Sequence, residues 1–212
     1  MMTKPDHVPV GTFELHQYYS TLCDLLAKTK VTGGTGEPLD AANVVTSLVS
    51  LAQRTHANGN KLIFVGNGGS AAIASHMATD YTKNGNVRSM ALNDSSMLTC
   101  LGNDLGYEQV FAKQIEMHAR AGDLLIAISS SGRSVNILNA VKAGAAAGCT
   151  VVTLSGFSSK NPLRGLGEFN FFIDSDRYGF VEIGHLTICH AILDFLCGLR
   201  VEMPDGKASS AA

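Results

Sequence analysis

From residue 61 onward, short apolar runs alternate with helix-length stretches. Leu62, Ile63, Phe64 and Val65 make an uninterrupted apolar run of strand length, the pattern of a strand covered on both faces. Comparable runs recur at residues 89–92, 123–128 (DLLIAI), 149–154 (CTVVTL) and 168–173 (EFNFFI). The stretches between them have helical spacing: one opening at Ser70, then 95–101, 107–120, an alanine-rich 135–147 and a long apolar 180–199. That alternation predicts an α/β fold, a parallel sheet with helices on both faces.

Upstream, residues 12–30 carry Phe13, Tyr18, Tyr19, Leu22, Leu25 and Leu26 at amphipathic spacing. The glycines and Pro38 of VTGGTGEPLD read as a break, and a second helix is expected over 40–57. These two helices either form an arm against a partner subunit or cover one face of the sheet. The chain thus divides into an N-terminal segment with a helical arm (1–39), the α/β domain (40–200) and a polar tail (201–212).

A length of 212 residues suits one large domain, and a net charge of −2 offers no electrostatic basis for non-specific nucleic-acid binding. The five cysteines are scattered singly in apolar stretches and read as reduced core residues. The N-terminus lacks an apolar signal core, and no stretch reads as uniformly apolar over a bilayer's thickness, so the expected compartment is the cytoplasm.

Two turns carry chemistry. After the first strand, Gly66, Asn67, Gly68 and Gly69 let the backbone approach a ligand closely, and Ser70 reads as the N-cap of the helix that follows. Exposed N–H groups and the dipole at such a helix start suit an anion. After the third strand, Ser129, Ser130, Ser131, Gly132, Arg133 and Ser134 offer hydroxyls and a cation for a phosphate monoester. Parallel strands share one carboxyl edge, so both turns can meet one ligand; the alternative is a pair of tight structural turns.

His76 and Asp80, four residues apart, share a helical face, as do Glu182 and His190, eight apart. The first pair alone could be a solvated ion pair. Two imidazoles and two carboxylates from two helices would also suit zinc or another divalent metal. His185, amid apolar neighbours, reads as a satisfied core histidine.

Taken in order, the GNGGS turn, H-x-x-x-D, ND at 93–94, CLGND, ISSSGRS and a C-terminal E-x-x-H-x-x-x-x-H resemble the sugar isomerase (SIS) domain over about residues 40–198, and within it the phosphoheptose isomerase family. The resemblance implies a three-layer αβα sandwich with a five-stranded parallel sheet and a homotetramer with shared active sites. It also implies aldose–ketose isomerisation of a seven-carbon sugar phosphate. Asn67, Gly68, Gly69 and Ser70 would line the sugar phosphate, Asn93 and Asp94 touch the sugar, and Ser129, Ser130, Ser131 and Ser134 hold phosphate, with Arg133 adding charge. His76, Asp80, Glu182 and His190 fall on the family's zinc ligands and acid/base pair. Here aspartate stands for its usual glutamate at position 80, glutamate for glutamine at 182, glycine for an acid at 179, and arginine for a small polar residue at 133.

Such an isomerase must remove a proton alpha to a carbonyl, stabilise the enediolate and return the proton to the neighbouring carbon. The expected base is Asp80, alone or with Glu182, and the acid His190, beside a divalent metal, zinc, held by His76, Asp80, Glu182 and His190. The competing expectations are a non-catalytic SIS protein that binds a sugar phosphate or a replication initiator, and an isomerase of another ketose phosphate.

Overall fold

The computed structural model describes residues 14–200. Its centre is a seven-stranded sheet in the order β2-β1-β7-β6-β5-β3-β4. Five strands are parallel, as expected: β3 (Leu62–Gly66), β4 (Ser89–Ala91), β5 (Leu124–Ser129), β6 (Thr150–Ser155) and β7 (Phe169–Phe172). The remaining two differ from expectation. The glycine-rich segment read as a break folds into an antiparallel hairpin, β1 (Lys30–Gly33) and β2 (Pro38–Leu39), with β1 paired to β7. Buried Asn170 holds it there, donating to the carbonyls of Thr32 and Gly33 at 3.3 and 3.2 Å. The hairpin ends where α2 (Ala41–Ala57) begins, capped by Asp40, whose carboxylate accepts from Asn43 N.

Side chains alternate across the strands. Leu62 and Phe64 of β3 join Leu124, Ile126 and Ile128 under α2, α3 (Gly69–Lys83) and α7 (Tyr178–Leu196). Ile63 and Val65 face the other way with Leu125 and Ala127, under α4 (Ser95–Leu105), α5 (Val110–His118) and α6 (Val135–Ala146). The result is the three-layer sandwich. α4 runs four residues past its expected end, through the GND segment, and α7 starts two residues earlier, at Tyr178.

Three expectations need correction. Only Cys149 and Cys189 are buried; Cys23, Cys100 and Cys197 are exposed, though all five are free thiols. By length and composition α7 is long and apolar enough to cross a bilayer, yet Val181, His185, Cys189 and Leu193 pack it into the sandwich. Ser70 is not a cap: α3 starts at Gly69 with Gly68 as N-cap, and the N–H groups of Ser70 and Ala71 close onto the carbonyls of Asn67 and Gly68. The tail expected at 201–212 and the apolar positions before residue 14 lie outside the described residues.

α1 (Leu15–Ala27) buries none of its residues. It leans on the start of α7, where Tyr18 stacks on Phe180 at 4.5 Å between ring centres. The parallel strands place the site. The chain passes from β3 outward to β4, then returns to lay β5 on the other side of β3. The carboxyl ends of β3 and β5, where Gly66 pairs with Ile128, are therefore the switch point at which such sheets leave a crevice.

Candidate functional site

The crevice is a cavity of about 240 Å³ lined by Asn67, Gly68, Gly69 and Ser70 after β3 and by Ser129, Ser130, Ser131 and Ser134 after β5. The start of α7 closes it with Tyr178 and Glu182. The two turns singled out in the sequence thus face one space. Ser129 Oγ donates to Ser134 Oγ at 3.3 Å, and Ser134 does not cap α6 with its side chain. Ser130 Oγ is buried without a hydrogen-bond partner, a polar group that a ligand oxygen would satisfy. Arg133 is exposed and lies outside the lining.

Glu182 reaches across to α3. A Cβ on Gly69 would lie 2.5 Å from its Oε2, so only glycine leaves room for the carboxylate at the first turn of α3. Tyr178 stands one turn before Glu182 on the same helical face. Because the sequence pattern started α7 at residue 180, this wall residue went unseen. Phe157 meets the Tyr178 ring edge-on at 4.8 Å.

Further along, α3 and α7 remain side by side. The Tyr81 hydroxyl donates to the Cys189 carbonyl at 3.2 Å. This pairing brings His76 and His190 together, Nε2 to Nε2 at 3.2 Å, while Asp80 Oδ2 lies 3.2 Å from His76 Nε2. His76, Asp80 and His190 offer one ligand atom each, all within 4.8 Å of one another, and could hold a metal ion. Two imidazoles and a carboxylate fit zinc, and three protein donors with the cluster partly open is the pattern of a catalytic rather than a structural site. Glu182, expected as the fourth ligand, is not among them. Eight residues are two helical turns, ~12 Å along the axis, and its side chain turns to Gly69 instead.

Two further residues, expected to touch the sugar, are bonded to the scaffold, and Asn93 Oδ1 is left buried without a hydrogen-bond partner. Asn93 donates to the Ala71 carbonyl and Ser75 Oγ, both at 2.9 Å, and Asp94 caps α4 by accepting from Met97 N. Neither lines the cavity. His185 lies in the core: its Nε2 sits 3.1 Å from the Ser155 carbonyl, Nδ1 has no partner, and burial pushes its pKa down to about 4 despite that hydrogen bond. Asn136 and Tyr107, which the sequence did not single out, both hydrogen-bond to Asn67.

A family profile for the SIS domain matches residues 37–156. A phosphoheptose isomerase from Geobacter sp. (strain M21) is 35% identical over 158 residues, covering 72% of this chain and 82% of its own. One from Aliarcobacter butzleri is 36% identical over 166 residues, covering 76% and 84%. The structure of phosphoheptose isomerase from Neisseria gonorrhoeae superposes with a TM-score of 0.72 at 27% identity, over 86% of this chain and 97% of that one.

Proposed function

The chain belongs to the SIS domain family, and we propose that it is an aldose–ketose isomerase interconverting sedoheptulose 7-phosphate and a heptose 7-phosphate. One observation carries this reading beyond the likeness to phosphoheptose isomerases. A single helix pair joins a serine- and glycine-lined cavity, with a carboxylate in its wall, to an imidazole–carboxylate cluster two turns further on.

In this reading the hydroxyls of Ser129, Ser130, Ser131 and Ser134 hold the phosphate, and Asn67, Gly68, Gly69 and Ser70 border the sugar phosphate. Glu182 is the carboxylate that lines the cavity, which favours it as the base that takes the proton alpha to the carbonyl and returns it to the neighbouring carbon. His190 moves the proton between the two substrate oxygens. Asp80, 3.2 Å from His76, supports the imidazole pair and shares the acid/base work only when free of other partners. His76, Asp80 and His190 are the residues that would hold zinc, which when bound polarises carbonyl and hydroxyl oxygens.

The assembly we infer is a homotetramer with active sites at subunit boundaries. Its support is α1, which buries nothing of its own and leaves Leu15 and Tyr19 more than half exposed.

The test is incubation of the purified protein with sedoheptulose 7-phosphate, with and without added zinc, following the aldose product. Turnover that disappears in Asp80→Asn and His190→Gln while both still bind inorganic phosphate supports the reading. Absence of turnover with retained sugar-phosphate binding would mark a non-catalytic SIS protein, and turnover confined to shorter ketose phosphates would change the substrate.

A further inference from the structure

Asn67 stands at the switch point, on the wall between the main cavity and a wider one of about 570 Å³ lined by Tyr107, Glu108, Val135 and Asn136. Its amide faces that of Asn136 in a reciprocal pair. Asn67 Nδ2 donates to Asn136 Oδ1 and Asn136 Nδ2 donates back to Asn67 Oδ1, both at 2.9 Å. The Tyr107 hydroxyl donates to the same Asn67 Oδ1 at 3.0 Å.

A side-chain amide has two N–H donors and an oxygen with two lone pairs. Both lone pairs of Asn67 are taken, and one of its N–H groups is used. What remains for a ligand is a single N–H donor. Two facing amides alone would not fix this outcome, because turning both over exchanges nitrogen for oxygen and restores both bonds. A phenol is a stronger donor than acceptor, so the Tyr107 hydroxyl favours the arrangement in which it meets oxygen.

Tyr107 is delivered to this position by its backbone. Gly106 has φ +89°, a conformation other residues rarely adopt, and turns the chain out of α4. The short helical turn Tyr107–Gln109 is closed by Gln109 N donating to the Gly106 carbonyl at 3.0 Å and tied to α6 by Asn139 donating to the Glu108 carbonyl at 3.0 Å. The residue is 59% exposed, so packing does not dictate its placement; the bond to Asn67 is its attachment to the site.

We propose that Tyr107 is a positioning residue whose hydroxyl, together with Asn136, sets the Asn67 amide as a dedicated donor to an acceptor oxygen of the sugar phosphate. This rests on the isomerase reading for the identity of the ligand.

The test is a double-mutant cycle over Tyr107→Phe and Asn67→Ala, read by kcat/KM and by calorimetric affinity for sedoheptulose 7-phosphate. Tyr107→Phe alone is expected to lower kcat/KM about tenfold, the size of one lost orienting hydrogen bond, with an unchanged unfolding midpoint. In the Asn67→Ala background it should do nothing further, because the group it acts through is gone. Full activity and affinity of Tyr107→Phe, or the same tenfold loss in both backgrounds, would overturn the proposal. Wild-type protein that binds the sugar phosphate without turning it over would sink the isomerase reading, while the affinity cycle would still decide the role of Tyr107.

Discussion

A methyl group on Gly69 would meet the far end of Glu182, a flexible side chain that can swing away. Gly69→Ala should therefore leave the unfolding midpoint almost unchanged and lower kcat by about tenfold or more, because a displaced carboxylate loses its near-attack position. A variant as active as wild type would remove Glu182 from the reaction. His185 bears on stability rather than chemistry. Burial holds its pKa at about 4, below the ordinary 6.5, so the unfolded chain binds the extra proton first as pH falls. Its contribution is fully present above pH 6.5 and is lost progressively toward pH 4, on the order of 3 kcal/mol in all. Denaturant unfolding of wild type and His185→Phe across that range checks this, and the steeper acid loss should belong to wild type. His76 and Asp80, four residues apart, and His190, eight after Glu182, were legible as site candidates because such spacings along a helix are geometric statements. Glu182 was legible as a polar residue in apolar company, but which way its side chain turns depends on the space above Gly69, and that space exists only once two helices are packed.

At the scale of elements, β3 and β5 are pinned at their amino ends as well as joined at the site. Buried Asp123 accepts from Lys61 Nζ at 2.7 Å, Lys61 N and Arg120 N at 2.9 Å and Asn60 Nδ2 at 3.0 Å. Burial alone would raise its pKa; the bonds from Lys61, Asn60 and Arg120 outweigh it and hold the carboxyl below its ordinary value. Asp123→Ala leaves two backbone N–H groups and a lysine without their acceptor and should cost about 3 kcal/mol in denaturant unfolding, with kcat/KM little changed in the protein that remains folded. The parallel strands were readable because a continuous apolar run of strand length, set between helical stretches, suits a strand covered on both faces and little else. The hairpin was not: β1 and β2 span four and two residues, carry no sustained apolar run and owe their place to Asn170, far away in sequence. The break at Gly106 was readable between two helical stretches, but the contact Tyr107 makes with Asn67 was hidden for a similar reason.

For the whole molecule, chelation of protein purified without metal-stripping agents should abolish turnover, and zinc should restore it. His76→Ala should weaken zinc binding in a direct titration while leaving inorganic phosphate affinity at the serine turn unchanged. Unimpaired zinc affinity in that variant would exclude the His76, Asp80 and His190 cluster as the metal centre. The meeting of the two turns was foreseeable because parallel strands share one carboxyl edge, but the wall they meet was not, because α7 arrives from the end of the chain to bring Tyr178 and Glu182 there. That arrival has a further consequence. Where α3 and α7 run in the same direction, Gly69 faces Glu182 near their starts and His76 faces His190 beyond, so the spacing between the two stations is set by helical rise at ~1.5 Å per residue. The helix pair is a ruler. On the proposed reading, a ketose phosphate anchored at the serines must present its carbonyl carbons where both Glu182 and His190 can reach them, and a chain two carbons shorter should be held yet turned over slowly, its deficit appearing in kcat rather than in affinity.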